Sequence, residues 1–317
     1  MTTFAGADYS AAREQPNATW LALGRAGHLA SAAVDSHILS IYKLEKVGSD
    51  RLGAELTGLC GPQMELSAQP GGKHRVLAGL DLPLGFPVDF LRWLKVEKSN
   101  DIATFSDRVS PFLAFDSYQE LELLAQEFCR GFGPEPKTLA GRLITPRAAS
   151  PLHRINPGLL KMAWQGRYLQ RQLRAGGFAI PPFDGRLDVL LEMHGDLAME
   201  VYPSAMLYAA GLPFRKYKGA APEARHVRSV IIDKLAKSCA VKAHKVPTGC
   251  IVKPTKVLMP PAIAQLALDS DDALDAVLAC YSAFVAVLSP FTSDPDIQGA
   301  DRDTVALEGW IYTPYSF

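Results

Sequence analysis

The stretch that most constrains this chain is Ser270-Asp271-Asp272-Ala273-Leu274-Asp275 and the run to Leu288 that follows it. No charge appears between Asp275 and Asp294. Leu274, Val277, Leu278, Tyr281, Phe284, Val285 and Leu288 recur at helical spacing, while Ala276, Ala279, Ala283 and Ala286 fill the opposite side. A helix apolar on both sides must be buried, and its small side lets it lie close to a sheet. Asp272 and Asp275 project from that small side. Ser270 as a cap and acids in a first turn suit the positive end of the helix dipole, which accounts for part of the pattern. Asp275 lies a turn in, where aspartate is a poor helix former. A carboxylate entering such surroundings needs a partner, and a metal ion is one.

The remainder of the chain supplies the sheet. Thr3–Asp8, Thr19–Leu23, Leu39–Val47, Arg75–Asp81 and Asp196–Pro203 read as five strands. The first three are joined by turns, around Gln15-Pro16-Asn17 and Gly24–Gly27, as an antiparallel meander. Asp50–Leu59 is a helical crossover, which makes the fourth strand parallel to an earlier one. Phe86–Val96, Ser117–Gly131 and Pro157–Arg174 read as helices, so residues 88–190 form a helical insertion within one domain of residues 1–317. Ser204–Gly211 and Glu223–Ser238 are helical, and Thr304–Tyr312 reads as a terminal strand or ribbon. The class is therefore α/β, a mixed five-stranded sheet with flanking helices.

Three strands share one feature. Two end on an acid, Asp8 and Asp81, and Glu200 lies near the end of a third. Carboxyl ends of parallel strands form the edge where open α/β sheets bind ligands. Side by side there, and joined by Asp272 and Asp275, these acids cannot all stand as bare charges. Oxygen-preferring Mg²⁺ or Mn²⁺ resolves the conflict, and two ions can activate a water and stabilise the leaving oxygen of a phosphodiester. Singly, Asp8 before Tyr9-Ser10 and Asp81 before Pro83 also read as turn residues. Glutamate inside an apolar strand, as at Glu200, is less ordinary.

Residues 147–186 carry Arg147, Arg154, Lys161, Arg167, Arg171, Arg174 and Arg186 against Asp184 alone. Arg167, Arg171 and Arg174 share a helix face, with Trp164 and Tyr168 nearby. This is either a solvated face or a grip on a phosphate backbone. Bulk charge decides nothing, because Lys+Arg and Asp+Glu are 33 each. Five cysteines without a CxxC pair argue for reduced thiols in a cytoplasmic setting. The N-terminus reads straight into a strand, and the Ala-rich helix is too short and weakly apolar to span a bilayer. Phosphate-loop, GxGxxG, HExxH and GxSxG patterns are absent, and the seven histidines lack ligand spacing, which disfavours nicotinamide, flavin, zinc and serine-hydrolase chemistry. Oligomeric state is not legible.

The order strand–hairpin–strand, helix, strand, helix, strand and acid-bearing helix resembles the RNase H-like fold. Asp272 and Asp275 match the Asp-x-x-Asp of Holliday-junction resolvases. GADYS (6–10), GLDLPLGFP (79–87), MEVYPSA (199–205), RKYKG (215–219), DDALDA (271–276) and EGWIYTP (308–314) resemble domain-of-unknown-function family 429, a group of predicted nucleases. The resemblance implies metal ligands at Asp8, Glu200, Asp272 and Asp275, with Asp81 and Glu308 as further candidates. Lys218 is a candidate phosphate contact, though a lone lysine also reads as surface. The expected activity is metal-dependent hydrolysis of DNA or RNA. The alternatives are an actin-like ATPase or phosphotransferase, which the missing glycine after Asp8 and the missing second core copy disfavour, and a non-catalytic nucleic-acid- or protein-binding module.

Overall fold

The computed structural model describes residues 1–9, 19–31, 34–60, 74–98, 117–132, 151–152, 158–193, 195–237, 255–288 and 302–312. A seven-stranded mixed sheet runs through it. Its strands are β1 (Thr2–Asp8), β2 (Thr19–Ser31), β3 (Val34–Val47), β4 (Arg75–Asp81), β5 (Phe178–Ala179), β6 (Asp196–Glu200) and β7 (Thr255–Leu258), in the order β5-β6-β4-β1-β2-β3-β7. Pairing is antiparallel only where β2 meets β1 and β3. The other neighbours pair in parallel. The sheet is wider than the five strands expected. Both additions lie at its edges and hold two and four residues, too few to carry a strand pattern.

The helices are α1 (Leu52–Gly58), α2 (Val88–Lys98), α3 (Tyr118–Phe132), α4 (Gly158–Ala175), α5 (Leu187–Glu192), α6 (Pro203–Ala209), α7 (Pro222–Lys237), α8 (Pro261–Asp269), α9 (Asp271–Leu288) and α10 (Arg302–Glu308). The uncharged helix is α9, and it lies across one face of the sheet. Ser270 caps it, its Oγ accepting from the Ala273 N–H at 3.2 Å. Two strand glycines set how close α9 comes. A Cβ on Gly6 would sit 2.0 Å from Cys280 N and 2.2 Å from Ala276 O, and one on Gly79 would sit 2.3 Å from Ala279 O. The helix backbone therefore rests on the strand backbones, with its alanines against the glycines. Its large side packs outward and along the sheet, where Phe284 meets Phe4 edge-on at 5.1 Å and Tyr281 hydrogen-bonds Thr255.

On the opposite face, Ala7, Leu21, Val76, Ala78 and Leu80 pack against Leu169 and Leu173 of α4 and Leu52 and Leu56 of α1. A third cluster joins Phe90 and Leu94 of α2, Leu121 and Phe128 of α3, and Leu160 and Ala163 of α4. Two expectations need correction. Gly24–Gly27 is not a turn. It continues β2 past an irregularity at Leu23/Gly24, opposite Ile41 to Ile38. Thr304–Tyr312 is not a strand. The chain is helical to Glu308 and ends that helix at Gly309, whose φ is +86° and whose N–H bonds Val305 O. The β-branched and aromatic residues there gave a strand signal that the turn glycine and the helical cap overrode. The turn at Gln15-Pro16-Asn17, Arg147, Arg154, Cys239, Cys250 and Asp294 lie outside the described residues.

Candidate metal centre

Strand register brings the acids together. Asp8 pairs with Asp81 across the parallel β1–β4 ladder, and both are the last residues of their strands. Neighbouring positions on one rung point to the same face, and this face is the one α9 covers. Asp275 stands four residues before Ala279 on the side of α9 that rests on Gly79, so it enters the same space from above. One carboxylate oxygen from each of Asp8, Asp81 and Asp275 lies within 4.8 Å of the others. Asp275 is fully buried, Asp8 is buried and Asp81 is partly so. Asp272, half-buried, sits one turn earlier on α9.

The electrostatics follow from that crowding. Burial pushes the Asp8 carboxyl well above its ordinary range; Asp81, Asp275 and Asp272 push it further, against the pull of Lys218. Asp81 is pushed up to about 7 by burial and by Asp275, with Lys218 opposing and Glu200 and Asp272 adding to the rise. Burial also raises Asp272, helped by Asp271 and Asp275. Burial raises Asp275 despite its cationic and hydroxyl partners. Lys218 Nζ lies 2.7 Å from Asp275 Oδ2, and Tyr217 Oη donates to Oδ1 at 2.9 Å. Burial disfavours the Lys218 ammonium, but Asp275 outweighs it and holds the lysine protonated. Tyr217 Oη also exchanges a hydrogen bond with Ser204 Oγ at 3.1 Å.

The loop bearing Lys218 is clamped. Buried Arg228 of α7 donates to Tyr217 O at 2.6 Å, Gly219 O at 2.9 Å and Leu268 O at 2.8 Å. Asp271 Oδ2 accepts from the Gly219 N–H at 3.1 Å. Lys216 and Gly219 both have positive φ, 62° and 97°, so the turn is tight on either side of Lys218.

Glu200 lies elsewhere. It pairs with Leu80, one position out of phase with Asp81, so its side chain emerges on the α4 face. Its Oε2 accepts from the Leu84 N–H at 2.9 Å, and Gln170 Nε2 of α4 donates to Leu84 O at 2.7 Å. Glu308 Oε1 accepts from the Val88 N–H at 2.7 Å, at the first turn of α2. These two buried carboxylates thus tie down the segment that follows Asp81. The arginine face does not form one patch. Arg167 is buried, stacks on Trp164 and donates to Tyr168 Oη at 2.6 Å. Arg174 pairs with Asp184 at 3.0 Å, and Arg171 is exposed.

The chain belongs to the family described as protein of unknown function (DUF429). The match covers residues 68–288, from just before β4 to the end of α9. Asp81, Lys218, Asp272 and Asp275 fall inside the DUF429 match, and Asp8 precedes it. No curated protein and no solved structure matches the chain. No described helix is long and apolar enough to cross a membrane.

Tyr217, Ser204 and Arg228 were not anticipated as site residues. Tyr217 stands inside the RKYKG segment, whereas Arg228 sits in a helix whose pattern reads only as amphipathic. Gly6 and Gly79 did carry a signal, since glycine inside a strand often marks close backbone approach.

Proposed function

We propose that the protein is a divalent-metal-dependent phosphodiesterase acting on DNA or RNA, with an RNase H-like core. The observation that carries the reading is the convergence of Asp8, Asp81 and Asp275 on one buried spot at the carboxyl edge of the sheet. The donor set is all oxygen, which suits Mg²⁺ or Mn²⁺ rather than softer metals. Its charge is offset by one lysine, so a divalent cation would lower the cost of ionising Asp8 and Asp81 together. The strand sequence β3-β2-β1-β4-β6, with β2 alone reversed and an acid-bearing helix laid across it, supports the RNase H-like assignment.

Asp8, Asp81 and Asp275 would hold the metal, and Asp272, one turn earlier on α9, would add oxygens for a second ion. Bound there, Mg²⁺ or Mn²⁺ supplies an acidified water and charge neutralisation at the phosphoryl oxygens. The chain's own groups orient that chemistry. Tyr217 and Lys218 fix the rotation of the Asp275 carboxylate. Arg228 holds the loop that carries both. Glu200, Gln170 and Glu308 fix the segment after Asp81, which forms the rim on the β4 side. Lys218, bound to Asp275 but with much of its side chain exposed, would contact a substrate phosphate.

The test is calorimetric titration of Mn²⁺ into chelator-stripped protein, followed by cleavage of labelled DNA and RNA. Binding that Asp8→Asn removes, with cleavage lost in parallel, is the expected result. Equal binding and cleavage in Asp8→Asn refutes the reading. One observation favours a second reading, a non-catalytic nucleic-acid-binding module: Lys218 already neutralises Asp275 without metal. Its signature is nucleic-acid binding indifferent both to chelator and to Asp8→Asn.

A further inference from the structure

Carbon-α pairing draws one continuous rung across four strands. Asp81 of β4 pairs with Asp8 of β1, Asp8 with Trp20 of β2, and Trp20 with Lys46 of β3. All four side chains lie on the α9 face, where Trp20 packs with Ala22, Leu39 and Ile41. The rung therefore begins at the carboxylate centre and ends at an exposed lysine. Trp20 is 7% exposed, too covered to stack on a base. Its ring instead carries the Lys46 ammonium, 5.3 Å from the ring centroid. That contact leans Lys46 back along the rung, toward the strand position beside Asp8.

The two lysines differ in what they hold. Lys218 is bound to Asp275 at 2.7 Å. Lys46 makes no ion pair with a described residue, although its β3 neighbours Lys43 and Glu45 pair with each other at 2.6 Å. A cation seated on a ring beside an anionic centre, with no ion pair to a described residue, is suited to an anion that arrives with the substrate. Adjacent strands lie about 5 Å apart. Two such spacings separate Lys46 from Asp8, about 10 Å, so the two positions meet different phosphates of one strand.

We infer that Lys46, seated on Trp20, is a phosphate-anchoring subsite that grips the nucleic-acid backbone a few nucleotides from the phosphate held at Asp8, Asp81 and Asp275. This rests on the nucleic-acid reading of the carboxylate centre. It gives the bound strand a path along the sheet's carboxyl edge, from β4 over β1 and β2 to β3. It also separates two tasks: Lys218 orders the centre, and Lys46 sets where the flanking backbone lies.

The experiment is fluorescence anisotropy with a labelled mixed-sequence 12-nucleotide single strand, Ca²⁺ replacing Mg²⁺, over a series of salt concentrations. Wild type, Lys46→Met and Lys46→Arg are compared, and Mn²⁺ affinity is measured in each by calorimetry. Lys46→Met is expected to weaken binding roughly 3–10-fold and to flatten the log–log salt slope by about 0.7, the value of one single-strand phosphate contact. Lys46→Arg should keep both, and Mn²⁺ affinity should not change in either variant. Wild-type binding with an unchanged slope and Kd in Lys46→Met overturns the subsite alone; Trp20–Lys46 is then only a cross-strand pair. Absence of oligonucleotide binding by the wild type overturns the nucleic-acid reading, and the subsite with it.

Discussion

Replacing Asp81 by Asn should stabilise the metal-free protein at neutral pH and destabilise it relative to wild type once metal is added. Burial and Asp275 raise the Asp81 carboxyl from 3.8 to about 7. A carboxyl whose folded value lies above its unfolded value is penalised on ionising, so folding loses stability as pH rises from about 4 toward 7 and stays level above. At about 1.36 kcal/mol per unit the whole shift corresponds to roughly 4 kcal/mol. Partial solvent contact and the sharing of repulsion with Asp8 and Asp275 reduce that to about 2 kcal/mol. Asparagine has the shape of the protonated acid and escapes the penalty. For a chain of this length the gain is roughly 3 °C in Tm. Thermal unfolding in chelator from pH 4 to 8.5 is the assay. The two curves should coincide near pH 4 and separate toward pH 7. With Mn²⁺ at a hundred times its Kd the wild type gains about 2.7 kcal/mol and overtakes the variant. A variant less stable than wild type in chelator at pH 8, or a difference indifferent to pH, refutes the argument.

Three further outcomes follow from the same geometry. Gly6→Ala drives a Cβ into the backbone of α9 and should cost about 1–3 kcal/mol by chemical denaturation while weakening Mn²⁺ binding, because Asp275 moves with the helix; unchanged metal affinity would show that the glycine only packs. Glu200→Gln keeps an oxygen for the Leu84 N–H, so thermal stability should shift by less than about 1 kcal/mol and calorimetric Mn²⁺ affinity should hold; a large loss of affinity would make Glu200 a ligand after all. Lys218→Met strands the buried Asp275 carboxylate and should lower the melting temperature in chelator by the equivalent of about 2 kcal/mol. Saturating Mn²⁺ should restore most of it, and a deficit that Mn²⁺ leaves untouched would mean that metal and lysine do not share Asp275.

How far the sequence discloses this site depends on strand phase. Asp8, Asp81 and Glu200 are alike as letters: each is an acid closing an apolar strand. Both faces of this sheet are covered, so both phases of a strand such as Asp196–Glu200 are apolar, and alternation cannot say which face an acid takes. Only register separates them. Leu80, not Asp81, stands opposite Glu200, and that one-position offset sends Glu200 to the α4 side and leaves Asp81 with Asp8. The helix acids were more legible because periodicity fixes a helix's faces internally: Asp272 and Asp275 fall on the alanine side by spacing alone. The arginines show the limit of that rule. Arg167, Arg171 and Arg174 do share a face by count, yet Trp164 and Tyr168 draw Arg167 inward and Asp184 takes Arg174. Lys46 lies beyond any local pattern. Its relation to Asp8 runs through two strand pairings, 38 residues apart in sequence and two strands apart in the sheet. A site assembled this way has its ligand types written in short motifs and its geometry written in register, which long-range pairing alone determines.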